Sequence, residues 1–192
     1  MKISGEFRTE LARKGIHLLI ALAPPLAAVD LSNTALLLML GVFFYVCAES
    51  LRFLGFSPPL ISSVTVAVSR KRGQFALGPV TLGLGALLSI LLFPPPAAAA
   101  AIYALAFGDS ASALVGRSLG RVRPAFLSGK SLEGIAACFI AASLCGYFVF
   151  HDWKTALTIG TASLLVDALP LGDFDNLLMP LAAGAGAMIF PW

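Results

Sequence analysis

The chain has 192 residues, of which 58% are hydrophobic and only 12% charged, with a mean hydropathy of +0.91. Soluble domains carry roughly 25% charged residues, so the 13 basic and 10 acidic side chains here cannot solvate a domain of this size, and a water-soluble fold is excluded. The net charge of +3 is small, and basic residues beside a bilayer set topology, so the charge points to no nucleic acid. Cys47, Cys138 and Cys145 lie inside apolar runs without paired spacing, which suits small buried hydrophobes rather than a disulfide frame or a zinc site. The N-terminus is too charged for the apolar core of a cleavable signal peptide.

Residues 4–17 read as an amphipathic helix, the N-terminal element that over 1–15 precedes the first apolar segment. Phe7, Leu11 and Ile16 suit lipid, while Glu10, Arg13, Lys14 and His17 recur at three- and four-residue spacing on another face. That face is either solvated on an interfacial anchor or carried into the protein interior. Apolar segments follow at 16–29, 34–51, 79–93, 97–115, 132–150, 155–169 and 177–191, several shorter than the ~20 residues of a full span. Pro24 and Pro25 imply a kink in the first, and Pro94–Pro96 a turn that opens a helix at the alanine run. Residues 57–69 are apolar but broken by Pro58, Pro59 and serines. They suit an interfacial or re-entrant piece ending in Arg70, Lys71 and Arg72.

With a cytoplasmic N-terminus and seven crossings, twelve of the thirteen Lys and Arg residues fall inside and only Lys154 outside. This is the bias of the positive-inside rule. The expected architecture is an all-α integral membrane protein of about seven transmembrane helices, one membrane-embedded domain over 1–192. Its candidate functional segments all face the cytoplasm. Nothing in the sequence sets an oligomeric state.

Two polar segments, 107–134 and 167–176, stand out from this apolar background. Gly108, Ser112, Gly116 and Gly120 recur every four residues, a small-residue stripe suited to close helix packing. On the adjacent stripe lie Asp109, Ala113, Arg117 and Arg121. An acid near membrane depth is costly and is normally paired or functional. Asp109 and Arg117 are two turns apart, about 12 Å, too far to pair directly. The run LSGKSLEG at 127–134 lacks the first glycine of a P-loop. Even so, Ser131 suits the N-cap of the following helix, which would bring free N–H groups beside Lys130, an arrangement suited to phosphate. Glu133 in the first turn complements the helix dipole. In 166–176, VDALPLGDFDN, the carboxylates Asp167, Asp173 and Asp175 sit with Asn176 and no basic residue. Hard oxygen donors of this kind suit Mg²⁺. Glu49 and Arg52, at i and i+3, form a weaker fourth signal, explained equally well by an intramembrane ion pair. Basic residues, a helix N-terminus and carboxylates on one membrane face make up the requirements of phosphoryl transfer, and the membrane supplies a lipid acceptor.

GDSASALVGRSLGR followed by SGKSLEG resembles the signature shared by phosphatidate cytidylyltransferases and the CTP-dependent lipid kinases of dolichol, phytol and diacylglycerol. ELARKGIH at 10–17, AESLR at 48–52 and DALPLGDFDNLLMPL at 167–181 resemble the kinase branch. The resemblance implies transfer of the γ-phosphate of CTP, with Mg²⁺, to a membrane lipid alcohol on the cytosolic side, in a minimal prokaryotic version of the family. It carries catalytic roles onto Asp109, Lys130 and Glu133. Nucleotide contacts fall on Ser112, Gly116, Arg117, Gly120, Arg121, Lys130, Ser131 and Asn176. The metal falls on Asp173, Asp175 and Asp109, with Glu10, Lys14, His17, Glu49 and Asp167 in support. Asp109 either orients the metal or acts as general base. The cytidylyltransferase pattern expects a Lys-Asp and a His-Gly-Gly near the C-terminus, but no histidine follows His151 and no lysine follows Lys154. That departure favours the kinase over a CDP-lipid synthase. A small membrane carrier using the intramembrane acids is the third reading.

Overall fold

The computed structural model describes residues 5–55, 75–127 and 129–190, and among them every regular element is helical. The apolar but broken stretch 57–69 and the basic triplet at 70–72 lie outside the described residues.

Helix α1 (Gly5–Leu19) passes through a 3₁₀ turn, Ile20–Leu22, into α2 (Ala23–Val29). The break falls where Pro24 and Pro25 enter the first turn of α2, the one place in a helix where a missing N–H costs nothing. Helix α3 (Leu31–Phe53) starts at Asp30, whose carboxylate accepts the Asn33 N–H at 2.9 Å. After α4 (Gly78–Leu92), the alanine-rich α5 (Pro95–Tyr103), a π-helical stretch Ala104–Asp109 and α6 (Ser110–Ser118) make one continuous 24-residue helix, Pro95–Ser118. Helix α7 (Leu132–Phe150) is capped by Ser131, whose hydroxyl accepts the Gly134 N–H at 3.1 Å, as the sequence suggests. Helix α8 (Trp153–Ala168) is capped by Asp152, and α9 (Asp175–Ala187) follows a short 3₁₀ turn.

Among the described residues three helices are long and apolar enough to cross a bilayer: Leu31–Phe53, Pro95–Ser118 and Leu132–Phe150. Helices α4, α8 and α9 have 15, 16 and 13 residues, short of the ~20 that a perpendicular crossing needs. The sequence-derived apolar segments thus match helices, while their number of crossings is a separate matter.

The interior is built from small residues. Ala97, Ala100, Ala101 and Ala104 pack against Ala142 of α7, Ile159 of α8, and Ala183 and Ala187 of α9, all fully buried. The stripe read from the sequence packs as expected, since a Cβ on Gly108 would sit 3.4 Å from Cys138 Sγ and one on Gly116 3.1 Å from Ser131 Oγ. Pro180 lies inside α9 and cannot donate to the Asn176 carbonyl four residues earlier. Gly85 of α4 packs directly onto that carbonyl and the proline ring, where any side chain would collide.

The polar segments converge at one end of this bundle. The middle of α1, the end of the π stretch, α6, the start of α7, the end of α8 and the start of α9 all border one cleft. A separate apolar groove of about 780 Å³ lies at the turns between α2 and α3 and between α4 and α5, lined by Pro24, Pro25, Leu31, Phe93 and Pro95.

Candidate active site

The cleft has a volume of about 460 Å³ and is bordered by four basic side chains, Arg13, Arg117, Arg123 and Lys130. Four carboxylates line it as well: Glu10, Asp109, Asp167 and Asp175. Backbone and small side chains of Ser112, Ala113, Gly116, Gly129, Ser131 and Gly134 form the rest of the wall. A charge-rich hollow at the end of an apolar bundle is costly unless the charges are paired. Each partnership is therefore informative.

Helix α1 contributes the face that the sequence leaves open between solvent and interior. Glu10, Arg13, Lys14 and His17 are all buried, the last three with relative exposures of 6%, 1% and 3%. The solvated-anchor alternative is overturned: the face is turned inward by ion pairs to the Pro95–Ser118 helix. Lys14 Nζ pairs with Asp109, and His17 Nδ1 lies 2.9 Å from the same Asp109 Oδ2. Glu10 bonds Arg13 at 2.6 Å and reaches Arg117 at 2.9 Å. Asp109 and Arg117, too far apart to meet, are thus each matched by α1. The π stretch ends at Asp109, and such local widening of a helix is frequent at functional sites.

On the opposite wall, Asp167 accepts from Ser112 Oγ at 2.6 Å and from Lys130 Nζ at 2.8 Å. Lys130 also donates to the Asp167 backbone carbonyl and lies 3.9 Å from Asp175. The two polar segments read from the sequence are therefore joined directly by Lys130. Asp167, a supporting residue in the sequence reading, is the hub of that joint.

Several candidates lie away from the cleft wall. Glu133 accepts the backbone N–H groups of Arg121 at 3.0 Å and Val122 at 3.2 Å, which ties down the loop after α6. Arg121 is exposed and does not border the cleft. Gly120 packs against Ser131 and the Gly116 carbonyl, leaving no room for a side chain. Asp173 borders a separate, smaller cavity with Arg13, His17 and Gly78, and its backbone carbonyl accepts from Thr81 at 2.7 Å. Asn176 is fully buried, its amide donating to Gly78 O at 3.3 Å and Thr81 Oγ1 at 3.4 Å. Glu49 and Arg52 form a bidentate pair at 2.6 and 2.8 Å, and Glu49 also accepts the Ala76 N–H at 2.9 Å. That pair anchors the chain entering α4.

Two charged cleft residues escape the sequence reading as site members. Arg123 bonds the carbonyls of Gly116 at 2.6 Å and Gly129 at 2.5 Å, clasping the loop that carries Lys130. Arg13 shares the inward face of α1, so its spacing from Glu10 was the available signal. Among the described residues no three His, Cys, Asp or Glu side chains come together as a metal-holding group. The donor chemistry nonetheless suits a hard cation: Asp109 and Asp175 supply carboxylate oxygens to the same cleft, whereas Asp173 lies beyond Arg13 and His17.

The chain is 28% identical over 174 aligned residues to a wheat (Triticum aestivum) protein named "Probable phytol kinase, chloroplastic", covering 81% of this chain and 54% of that protein. The chain therefore spans about half the length of the curated relative it matches. No family profile matches the chain, and no solved structure matches it.

Proposed function

We propose that this chain is a membrane-embedded lipid kinase that transfers the γ-phosphate of CTP to the hydroxyl of a lipid alcohol. The observation that carries this reading is the cleft, where four basic side chains and four carboxylates meet at the end of an apolar bundle. Phosphoryl transfer asks the protein mainly to neutralise and position charge, and this wall can do so. The similarity to a protein named as a phytol kinase favours a kinase with a lipid alcohol acceptor. CTP comes from the motif resemblance, as do the candidate acceptors: polyprenol, dolichol or phytol types first, diacylglycerol second.

In this reading Lys130 and Arg117 hold the phosphate chain at the mouth of the cleft, where both are partly exposed. Glu133 and Arg123 act on the loop rather than on the nucleotide. Asp109 and Asp175 would hold Mg²⁺, which supplies charge neutralisation to the phosphates when bound. Lys14 and His17 hold the Asp109 carboxylate in place. The lipid hydroxyl oxygen bonds to the γ-phosphorus as the bridge to the β-phosphate breaks, the bond pair leaving with CDP and the hydroxyl proton passing to water at the mouth. Seven crossings with the cleft toward the cytoplasm fit the distribution of Lys and Arg.

The test is purified protein in lipid nanodiscs with Mg²⁺, a panel of lipid alcohols, and CTP labelled at the α- or the γ-phosphate. The kinase labels lipid from γ-labelled CTP only. Label from the α-position would establish a CDP-lipid synthase instead. A carrier would consume no CTP with any lipid.

A further inference from the structure

The cations of the cleft differ in what they have left to give. Arg117 reaches Glu10 and Lys130 reaches Asp167 while each keeps part of its side chain exposed at the mouth, and Lys14, behind the cleft wall, pairs with Asp109. Arg123 spends both terminal nitrogens on the carbonyls of Gly116 and Gly129. Arg13 is the exception. Its NH2 bonds Glu10 at 2.6 Å, yet its Nε is buried with no acceptor, in a side chain only 7% exposed. A buried guanidinium donor left unmade is costly, and native interiors tolerate it chiefly where something else completes the site. Arg13 also sits between the cleft and the smaller cavity that holds Asp173, so it reaches deeper than Arg117 or Lys130.

We infer that Arg13 is a catalytic residue: its guanidinium lies against the transferring phosphoryl group and donates from Nε to a non-bridging oxygen while the lipid hydroxyl oxygen bonds to the phosphorus and the bond to the leaving CDP breaks. The inference rests on the kinase reading above and names the residue of that site which acts on the reacting phosphate. Arginine suits this position better than lysine because its planar fork can keep Glu10 on one nitrogen while offering another to phosphate. It also gives α1 a purpose beyond anchoring. Glu10 orients the guanidinium from three residues away, and Lys14 and His17 seat the helix against Asp109.

The experiment compares wild type with Arg13→Lys and Arg13→Ala, in nanodiscs, by steady-state transfer of γ-label to the preferred lipid alcohol. Arg13→Lys retains the charge without the fork and is expected to lower kcat on the order of 10²-fold with KM for CTP changed only a few-fold. Added guanidinium ion is expected to restore at least tenfold of the activity of Arg13→Ala. A guanidinium group that served only the fold would give no such rescue, so absence of rescue, or a kcat for Arg13→Lys within about threefold of wild type, overturns the inference. A second arm measures inorganic tripolyphosphate binding by calorimetry, which needs no lipid and no turnover. Binding at least tenfold weaker in Arg13→Lys supports the phosphate contact, and equal binding refutes it. If wild type labels no lipid alcohol, the kinase reading fails on its own, and the tripolyphosphate arm still decides whether Arg13 is an anion ligand.

Discussion

Helix α3 and the Pro95–Ser118 helix both have the length and composition of a membrane span, yet 11% of the apolar stretch of the first is buried against 61% of the second. The difference lies in side-chain size. Helix α3 carries large groups outward, with Leu37, Phe43 and Phe44 each at least 60% exposed. The Pro95–Ser118 helix carries alanine, glycine and serine, and α1, α4, α7 and α9 crowd around it. In a bilayer, lipid tails are as apolar as leucine, so hydrophobicity cannot tell core from periphery; close packing and buried polar contacts do. The helix with the smaller side chains becomes the core, and it is the one that carries Asp109.

That contrast can be sharpened by substitution. The largest effect is expected at Asp109, where Asn leaves Lys14 buried without its counter-charge. Removing one partner of a buried pair costs about 3–5 kcal/mol, and γ-phosphate transfer should be lost, read by thermal unfolding and the labelling assay. Ala104→Leu, at a fully buried site, should cost about 1–3 kcal/mol through overpacking. Leu37→Ala in α3 changes the side chain by the same three carbons, yet should fall within about 0.5 kcal/mol because the side chain faces outward. Equal losses at Ala104 and Leu37 would break the comparison.

Smaller effects are expected at the far turn between α7 and α8. His151 holds a left-handed backbone with φ of 53°, so His151→Gly should raise stability by about 1 kcal/mol. Next to it, the Thr155 N–H at 2.8 Å holds the Asp152 carboxyl below the usual carboxylate range. Its contribution is therefore present above the ordinary Asp value of about 3.9 and is lost as pH falls through the lower folded value. Asp152→Asn should flatten that acid-side slope in unfolding scans.

Much of the architecture was readable from residue order. Helix positions followed from apolar runs, the kink at Pro24, the turn at Pro94 and the cap Ser131, while the cap Asp152 emerged only in the structure. Each is a local signal, because a cap or a first-turn proline acts on its own helix end. Lys130 and the acidic segment were legible as candidates because a lysine beside a capped helix and three acids without a base are unusual near a membrane. Illegible were the partnerships. Glu133 looks catalytic by motif but spends its carboxylate on the N–H groups of Arg121 and Val122, and that loop geometry leaves no trace in composition. Asp173 and Asp175 are two residues apart, yet only Asp175 borders the cleft, because the 3₁₀ turn Gly172–Phe174 separates them around the start of α9.

By itself, then, the sequence determined that the chain is helical, apolar enough for a membrane, and polar in two segments that belong together. These properties depend on composition and short-range periodicity, which neighbouring residues decide among themselves. Tertiary structure alone decided that α1 turns Glu10, Arg13, Lys14 and His17 inward, and which acid meets which base. Asp109 finds Lys14 across 95 residues of chain, a match that only the packed helices can make, because pairing energy falls away unless both charges are buried at contact.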